Sequence, residues 1–421
     1  MSISIQREIF QVDEIQPQKR KKSNETGEKH LFDTDLSFIG HDSQYSLHAL
    51  HTYVAAINPP LVKNLIDTYV PQSGTILDPF CGGGGVLLEA TLNGRKNAGG
   101  DVNPLSIILS KAKTTFIPQA KLQTAYKDII GLSKELSKSN EIIVHPQLEF
   151  WFKQSSIPDI SSLIKSINEV TNDDPQVNNL FKAVFSAMVR DVMLTYRGEV
   201  RLRKLREADL QKFNPDVFRS FEKRFNIAHE RITTLPKNAI SDIEIRDIKK
   251  LDFKDNSFHS IICSPPYADD KNGVGYFQFS KNMLEWLGYS KESINDHKKL
   301  FLGASKEINK VPKSASLEAS LKNVEQRSAT HYKEAVSFYY DYDLGLREMS
   351  RIAKKYIIIV IGNRVLSRTQ FDNAQITVDC FKNLGVELKH HYTRELRKKR
   401  IANLGGDGGG IAKEHVLVFE K

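Results

Sequence analysis

Thr75-Ile76-Leu77-Asp78-Pro79-Phe80-Cys81-Gly82-Gly83-Gly84-Gly85-Val86-Leu87-Leu88-Glu89-Ala90 joins a short apolar run to an acidic residue, a block of glycines and an amphipathic pattern. That order predicts a strand, a tight turn and a helix. Glycine accepts positive φ without steric cost and lets a bulky group approach bare backbone. A dinucleotide-binding turn starting from Gly82 and Gly84 would need a third glycine where Leu87 stands, and a P-loop would need a terminal Gly-Lys-Ser/Thr. Asp78 would repel a pyrophosphate. A carboxylate at a strand tip suits a ligand carrying positive charge.

The sulfonium and amino groups of S-adenosylmethionine have that charge. Phe80, Gly82 and Gly84 have the Phe-x-Gly-x-Gly spacing, which resembles the cofactor motif of the amino-methyltransferases. The resemblance implies that Asp78, Pro79, Phe80, Gly82 and Gly84 hold that cofactor. A second strand near Asn97 to Gly100 is expected to end at Asp101, about 20 residues on, where a carboxylate would hold ribose hydroxyls. Asn103 and Pro104 then read as cap and first turn of the next helix. In the same enzymes a His-and-Tyr stretch followed by a short helix packs beside the methionine end, and Tyr45 to Tyr53 with the helix near Pro60 to Val70 is similar to it.

The chain has 421 residues, 40% of them hydrophobic, enough for two or three structural units. It has no run of about 18 apolar residues and no secretory pattern at its start, so the expectation is a cytoplasmic protein without membrane contact. Cys81, Cys263 and Cys380 make neither a zinc spacing nor an even disulfide set, which agrees with a reducing compartment and no metal. His48 and His51 lack a nearby carboxylate or thiol to complete a metal site. The net charge of +9 favours a polyanionic partner, and its clustering matters more than its size.

Residues 1 to 42 read as a polar basic arm with Lys-Arg-Lys-Lys at 19 to 22. Residues 43 to 115, 244 to 267 and 338 to 421 carry the strand and helix pattern of the core. Between them, residues 116 to 243 read as a helical insertion, with apolar spacing at Ile160 to Ile167 and Leu180 to Val192. Its later half crowds Arg197, Arg201, Arg203, Lys204 and Arg206 beside Tyr196, a footprint for phosphate contacts. Asp247 is expected at a third strand tip near the adenine ring, with Asp252 as fallback. Residues 268 to 337 read as a second insertion: a substrate loop with Tyr276, Phe277 and Phe279, then a mobile Lys- and Ser-rich stretch. Near the end, Arg394, Arg397, Lys398, Lys399 and Arg400 precede a glycine-rich hinge at 405 to 410, suited to clamping phosphate.

The apolar run Phe258 to Cys263 ends in Ser264-Pro265-Pro266-Tyr267. An exocyclic base amine is a poor nucleophile because its lone pair is delocalised into the ring. Acceptors for both N–H groups favour a pyramidal nitrogen, and Ser264 Oγ and the Pro265 carbonyl can serve. The prolines stiffen the turn and remove donors. Tyr267 offers a face for stacking an extruded base. A cytosine-C5 mechanism would need a Pro-Cys nucleophile, which the chain lacks.

Asp-Pro-Phe-x-Gly-x-Gly followed by a strand-borne Ser-Pro-Pro-Tyr resembles the DNA amino-methyltransferases. Ser at the first position of the tetrad points to cytosine N4, whereas Asp or Asn there marks mostly adenine-N6 enzymes. The resemblance covers residues 45 to 115, 244 to 290 and the C-terminal strands, and departs from many cytosine-N4 enzymes in placing the cofactor motif first. It implies a Rossmann-like α/β fold: a mixed, mostly parallel sheet with helices on both faces and a helical insertion between the motifs. It also implies double-stranded DNA as substrate, base flipping, and a companion restriction endonuclease. The alternatives are an adenine-N6 DNA enzyme, an RNA guanine-N2 methyltransferase, for which the polar arm leaves no N-terminal RNA-binding domain, and a nucleic-acid-binding protein with a dead core.

Overall fold

The structure is a computed structural model that describes residues 36–38, 40–53, 56–139, 147–197, 202–267, 276–306, 308, 310–396 and 413–421. The N-terminal basic run, Arg201, the loop at 268–275, the basic residues Arg397, Lys398, Lys399 and Arg400 and the glycine hinge lie outside these.

The strands are β1 (Ile76–Asp78), β2 (Asn97–Asp101), β3 (Ser241–Ile245), β4 (Phe258–Cys263), β5 (Ala353–Gly362), β6 (Arg364–Leu366), β7 (Thr369–Phe371), β8 (Glu387–Glu395) and β9 (Lys413–Glu420). One seven-stranded sheet runs β3-β2-β1-β4-β5-β9-β8, while β6 and β7 make a separate antiparallel pair. β9 is antiparallel to β5 and β8, and the other pairs are parallel. This is the expected mixed, mostly parallel sheet of the Rossmann-like methyltransferase fold. β1, β4 and β5 are almost wholly buried, which explains their near-continuous Ile, Leu and Val.

Chain order reverses between β1 and β4: from β1 the chain steps to β2 on one side, and β4 lies on the other. Such a switch point opens a crevice at the carboxyl ends of the strands. Ile76 pairs with Ser260 and Leu77 with Ile261, so Asp78 finishes β1 level with Ile262. Ser264 lies two residues farther along, roughly 7 Å by strand rise.

Apolar side chains collect on both faces. One cluster joins Leu88, Leu105 and Leu109 from the helices Gly85–Leu92 and Pro104–Thr114 to Leu163, Phe181, Val184 and Phe225 of the inserted helices. The insertion (Gln119–Leu136, Ile157–Val170, Pro175–Val192, Val217–Arg231) therefore shares the core of the sheet. Tyr126 stacks on Phe225 at 4.1 Å and Phe181 stacks on the same ring at 5.7 Å. The other cluster holds Leu77, Ile261, Ile359, Leu346 and Phe381.

The expected mobile Ser-rich stretch is corrected: it contains helices Lys291–Lys298 and Ala315–Glu325, and helix Ala329–Ile352 starts well before residue 338. Ser290, Ser314 and Ser328 each accept an amide N–H of the first turn. These serines are helix caps. The return from β3 to β4 contains no helix, and Arg351 anchors it by donating to the Phe253 and Leu251 carbonyls and to Asp255.

Candidate active site

One cleft at the switch point is lined by Asp78, Pro79, Phe80, Gly82 and Asp101 and also by Ser264 and Pro266. The glycine turn and the proline tetrad, far apart in the chain, thus face one space. Asn103 caps helix Pro104–Thr114 as expected, accepting from the Leu105 amide at 3.1 Å.

Asp78 is 3% exposed and accepts the Phe80 amide at 3.1 Å. Burial pushes its carboxyl up to about 8; the Phe80 amide opposes the shift and the Asp101 charge adds to it. Asp101 accepts the Gly82 amide at 2.9 Å and the Asn103 amide at 2.8 Å. Burial raises its carboxyl as well, against those two amides. Among the described residues no cation pairs with either carboxylate; Arg246 lines the cleft but is engaged by Gly99 O, Asp242 and Asp252. A buried and a partly buried carboxylate without a counter-charge, beside backbone bare of side chains, fit S-adenosylmethionine. Asp78 suits its cationic end, and each Asp101 oxygen keeps lone pairs for hydroxyl donors.

Gly82 has φ +47°, and a Cβ there would stand 2.9 Å from Tyr53 Cε1; one on Gly83 would stand 2.5 Å from Tyr53 Cβ. The bare backbone therefore admits Tyr53, whose hydroxyl bonds Ser106 Oγ at 2.9 Å. Gly84 does not line the cleft. It has φ +75° at the start of helix Gly85–Leu92, where a Cβ would meet Ser110 Cα at 2.8 Å, so its expected cofactor contact is corrected to a packing role. In the preceding segment, Tyr45 donates to Glu89 at 2.6 Å and His48 bonds the same oxygen at 2.7 Å, which leaves Tyr53 as the cleft residue.

Asp247 is corrected likewise. Its flanking residues Arg246 and Ile248 line the cleft, whereas its own carboxylate accepts the Lys249 amide at 3.0 Å and pairs with Lys249 Nζ. Asp252, the fallback, pairs with Arg246 at 3.1 Å.

Tyr267 is 5% exposed, packs in the second apolar cluster and does not line the cleft, so a stacking face is not what this structure presents. Its hydroxyl donates to Glu414 Oε1 at 3.2 Å and lies 3.3 Å from Ser264 Oγ. With the phenol proton committed to Glu414, Ser264 is the donor of that pair, and the lone pairs of Ser264 Oγ stay open toward the cleft. Arg394 fixes Glu414 through contacts of 2.9 and 2.6 Å. Burial, then the Glu414 charge, raises the Tyr267 phenol far above its ordinary value, so it remains a proton donor.

Residues 4–132 match the family model described as DNA methylase. The chain is 29% identical over 423 positions to the Type II methyltransferase M.MvaI of Kocuria varians, covering 91% of each. The chain is similar to DNA methylases. The Type II methyltransferase M.BsoBI of Geobacillus stearothermophilus is 23% identical over 302 positions, covering 64% of this chain and 58% of its own. Among solved structures, the rRNA methyltransferase AviRa from Streptomyces viridochromogenes aligns over 94% of this chain and 96% of its own, with 10% identity and a TM-score of 0.31.

Of the insertion cations expected to meet DNA, Arg197, Arg203 and Lys204 lie among the described residues. Arg203 stacks over Tyr196 at 4.2 Å and Lys204 over Phe150 at 4.3 Å. Arg197 is two-thirds exposed and pairs with Asp191 at 3.4 Å. Arg201, Arg397, Lys398, Lys399 and Arg400 fall outside the described residues. Tyr53, Arg246, Ile248 and Glu414 were not singled out by sequence reasoning. Tyr53 stood in the quoted His-and-Tyr stretch, whereas Glu414 reaches Tyr267 only through the pairing of β5 with β9. No helix among the described residues is long and apolar enough to cross a membrane.

Proposed function

We propose that the protein methylates an exocyclic base amine of duplex DNA, cytosine N4, from S-adenosylmethionine, as the modifying half of a restriction-modification pair. The observation that carries this is the single cleft lined by Asp78, Gly82 and Asp101 on one side and Ser264 and Pro266 on the other. S-adenosylmethionine, when bound, supplies a methyl group made electrophilic by its sulfonium. Ser264 Oγ accepts one amine N–H, with the Pro265 carbonyl the expected second acceptor, which directs the nitrogen lone pair toward the incoming methyl. Tyr267, whose own proton goes to Glu414, accepts the Ser264 O–H, which leaves the Ser264 oxygen lone pairs to act as acceptors.

The printed names of M.MvaI and M.BsoBI, both Type II methyltransferases, support the restriction-modification context. Ser264 supports cytosine over adenine. Incubating the protein with unmethylated DNA and tritiated S-adenosylmethionine, then resolving the nucleosides by mass spectrometry, should yield N4-methylcytosine. N6-methyladenine would overturn the base assignment, and no DNA-borne label would overturn the function.

A further inference from the structure

A second, polar cavity of about 230 Å³ opens in the insertion, lined by His51, Ala187, Arg190, Asp191, Arg197 and Arg224. Three guanidinium groups face one carboxylate. Asp191 is engaged by Arg224 at 2.6 and 2.7 Å, with Arg197 at 3.4 Å, so among the lining residues this one carboxylate is shared by two guanidinium groups. His51 is 6% exposed; its Nε2 meets Ser186 Oγ at 3.0 Å and its Nδ1 has no hydrogen-bond partner among the described residues. Buried Lys113 donates to the His51 carbonyl at 3.4 Å and adds its charge behind the ring. Burial, then Lys113, Arg190 and Arg224, pushes the imidazole down to about 3, so His51 brings hydrogen-bonding capacity and no charge. A tetrahedral oxyanion matches the sign of two guanidinium groups that share one carboxylate, and can meet an outer N–H of Arg197 or Arg224 together with the ring nitrogen.

Position decides which anion. Thr52 and His51 line this cavity and Tyr53 lines the methyl-transfer cleft, so one tripeptide walls both. Two residues of chain span roughly 7 Å at most. We infer that the arginine cavity seats one backbone phosphate of DNA, next to the nucleotide whose base enters the cleft. This rests on the DNA reading above. It adds a subsite built on Arg197, Arg224 and His51 to the exposed cations that the sequence suggested. The phosphate fixes the register of the strand beside the cleft, as phosphate contacts position a duplex without reading its bases.

The test measures binding of a mixed-sequence duplex across a salt series for wild type, Arg190→Gln, Arg197→Gln and Ala187→Leu. Each variant is checked by thermal melt and by calorimetry with S-adenosylmethionine. Ala187→Leu fills the cavity without changing charge, which separates a seated phosphate from long-range attraction. All three should bind about tenfold more weakly, with the salt slope smaller by about 0.9, while affinity for S-adenosylmethionine is unchanged. Should Arg190→Gln fail to fold, Arg197→Gln, whose side chain is exposed, and Ala187→Leu still decide the matter. Wild-type slope and affinity in Ala187→Leu would overturn the inference. So would inorganic phosphate stabilising wild type but not Arg197→Gln while the duplex slopes agree, which would mark a free-anion site. Wild type that binds S-adenosylmethionine and duplex, with unaffected variants, sinks the subsite alone; wild type that binds neither sinks the functional reading with it.

Discussion

Replacing Asp78 by Asn should weaken S-adenosylmethionine binding and, at high pH, stabilise the free protein. The amide keeps the size of the side chain and can still accept the Phe80 amide, so only the charge is lost. Truncating one partner of a buried charge pair costs about 2 to 5 kcal/mol. Against this, the wild-type carboxyl titrates at about 8. At about pH 7 a cationic ligand must first ionise it, costing about 1.4 kcal/mol. The net loss on substitution is then about 0.6 to 3.6 kcal/mol, roughly threefold to several hundredfold in affinity. Wild-type affinity should rise about tenfold per pH unit up to about 8 and level off above it, while the variant stays flat across the same range.

The stability effect has the opposite sign. A carboxyl whose folded value lies above its ordinary 3.8 destabilises the fold as pH rises between the two values, and fully above about 8. Asp78→Asn should therefore raise the melting temperature near about pH 9, by up to several kcal/mol of stability, and change it little near about pH 4. Calorimetric titration and thermal melts across the range read both effects. Affinity unchanged by the substitution, or a melting temperature that falls at the alkaline end, would refute the account of an uncompensated carboxylate awaiting a cation.

Ser264→Ala should retain S-adenosylmethionine binding and lose about 10² to 10³ of the methyl-transfer rate, measured as label incorporated into DNA; wild-type activity would remove Ser264 from the chemistry. Glu414→Gln leaves Tyr267 free to donate toward Ser264, so the rate should fall about tenfold with cofactor affinity unchanged in calorimetry. Arg351→Ala frees the return between β3 and β4 from several hydrogen bonds and should cost roughly 1 to 3 kcal/mol in urea unfolding. Little change in kcat is expected, because Leu251, Phe253 and Asp255, which Arg351 holds, do not line the cleft.

Much of the core was legible because its signals are local. The run Thr75 to Ala90 declares a strand, a turn and a helix through hydropathy and glycine alone, and Asn97 to Pro104 does the same for the next strand and its capped helix. Where function depended on side-chain direction, the local signal failed. Asp247 and Arg246 are neighbours in sequence, yet Arg246 lines the cleft and Asp247 turns to Lys249. Gly84 matches the motif spacing and serves helix packing. The serines between 290 and 328 carry the composition of a linker, and only their hydrogen bonds reveal caps.

By itself the sequence determined the chemistry available: buried-strand patterns, a glycine turn after Asp78, an acceptor-rich tetrad after β4, and an excess of cations in the insertion. Tertiary structure decided which of these groups meet. Pairing of β1 with β4 brings Asp78 level with the approach to Ser264, and pairing of β5 with β9 delivers Glu414 to Tyr267. Packing of the insertion on the sheet places Arg190 and Arg224 beside His51. The physical reason is that hydropathy and turn chemistry act over a few residues, whereas a site is set by strand register and core packing between segments that the sequence keeps far apart.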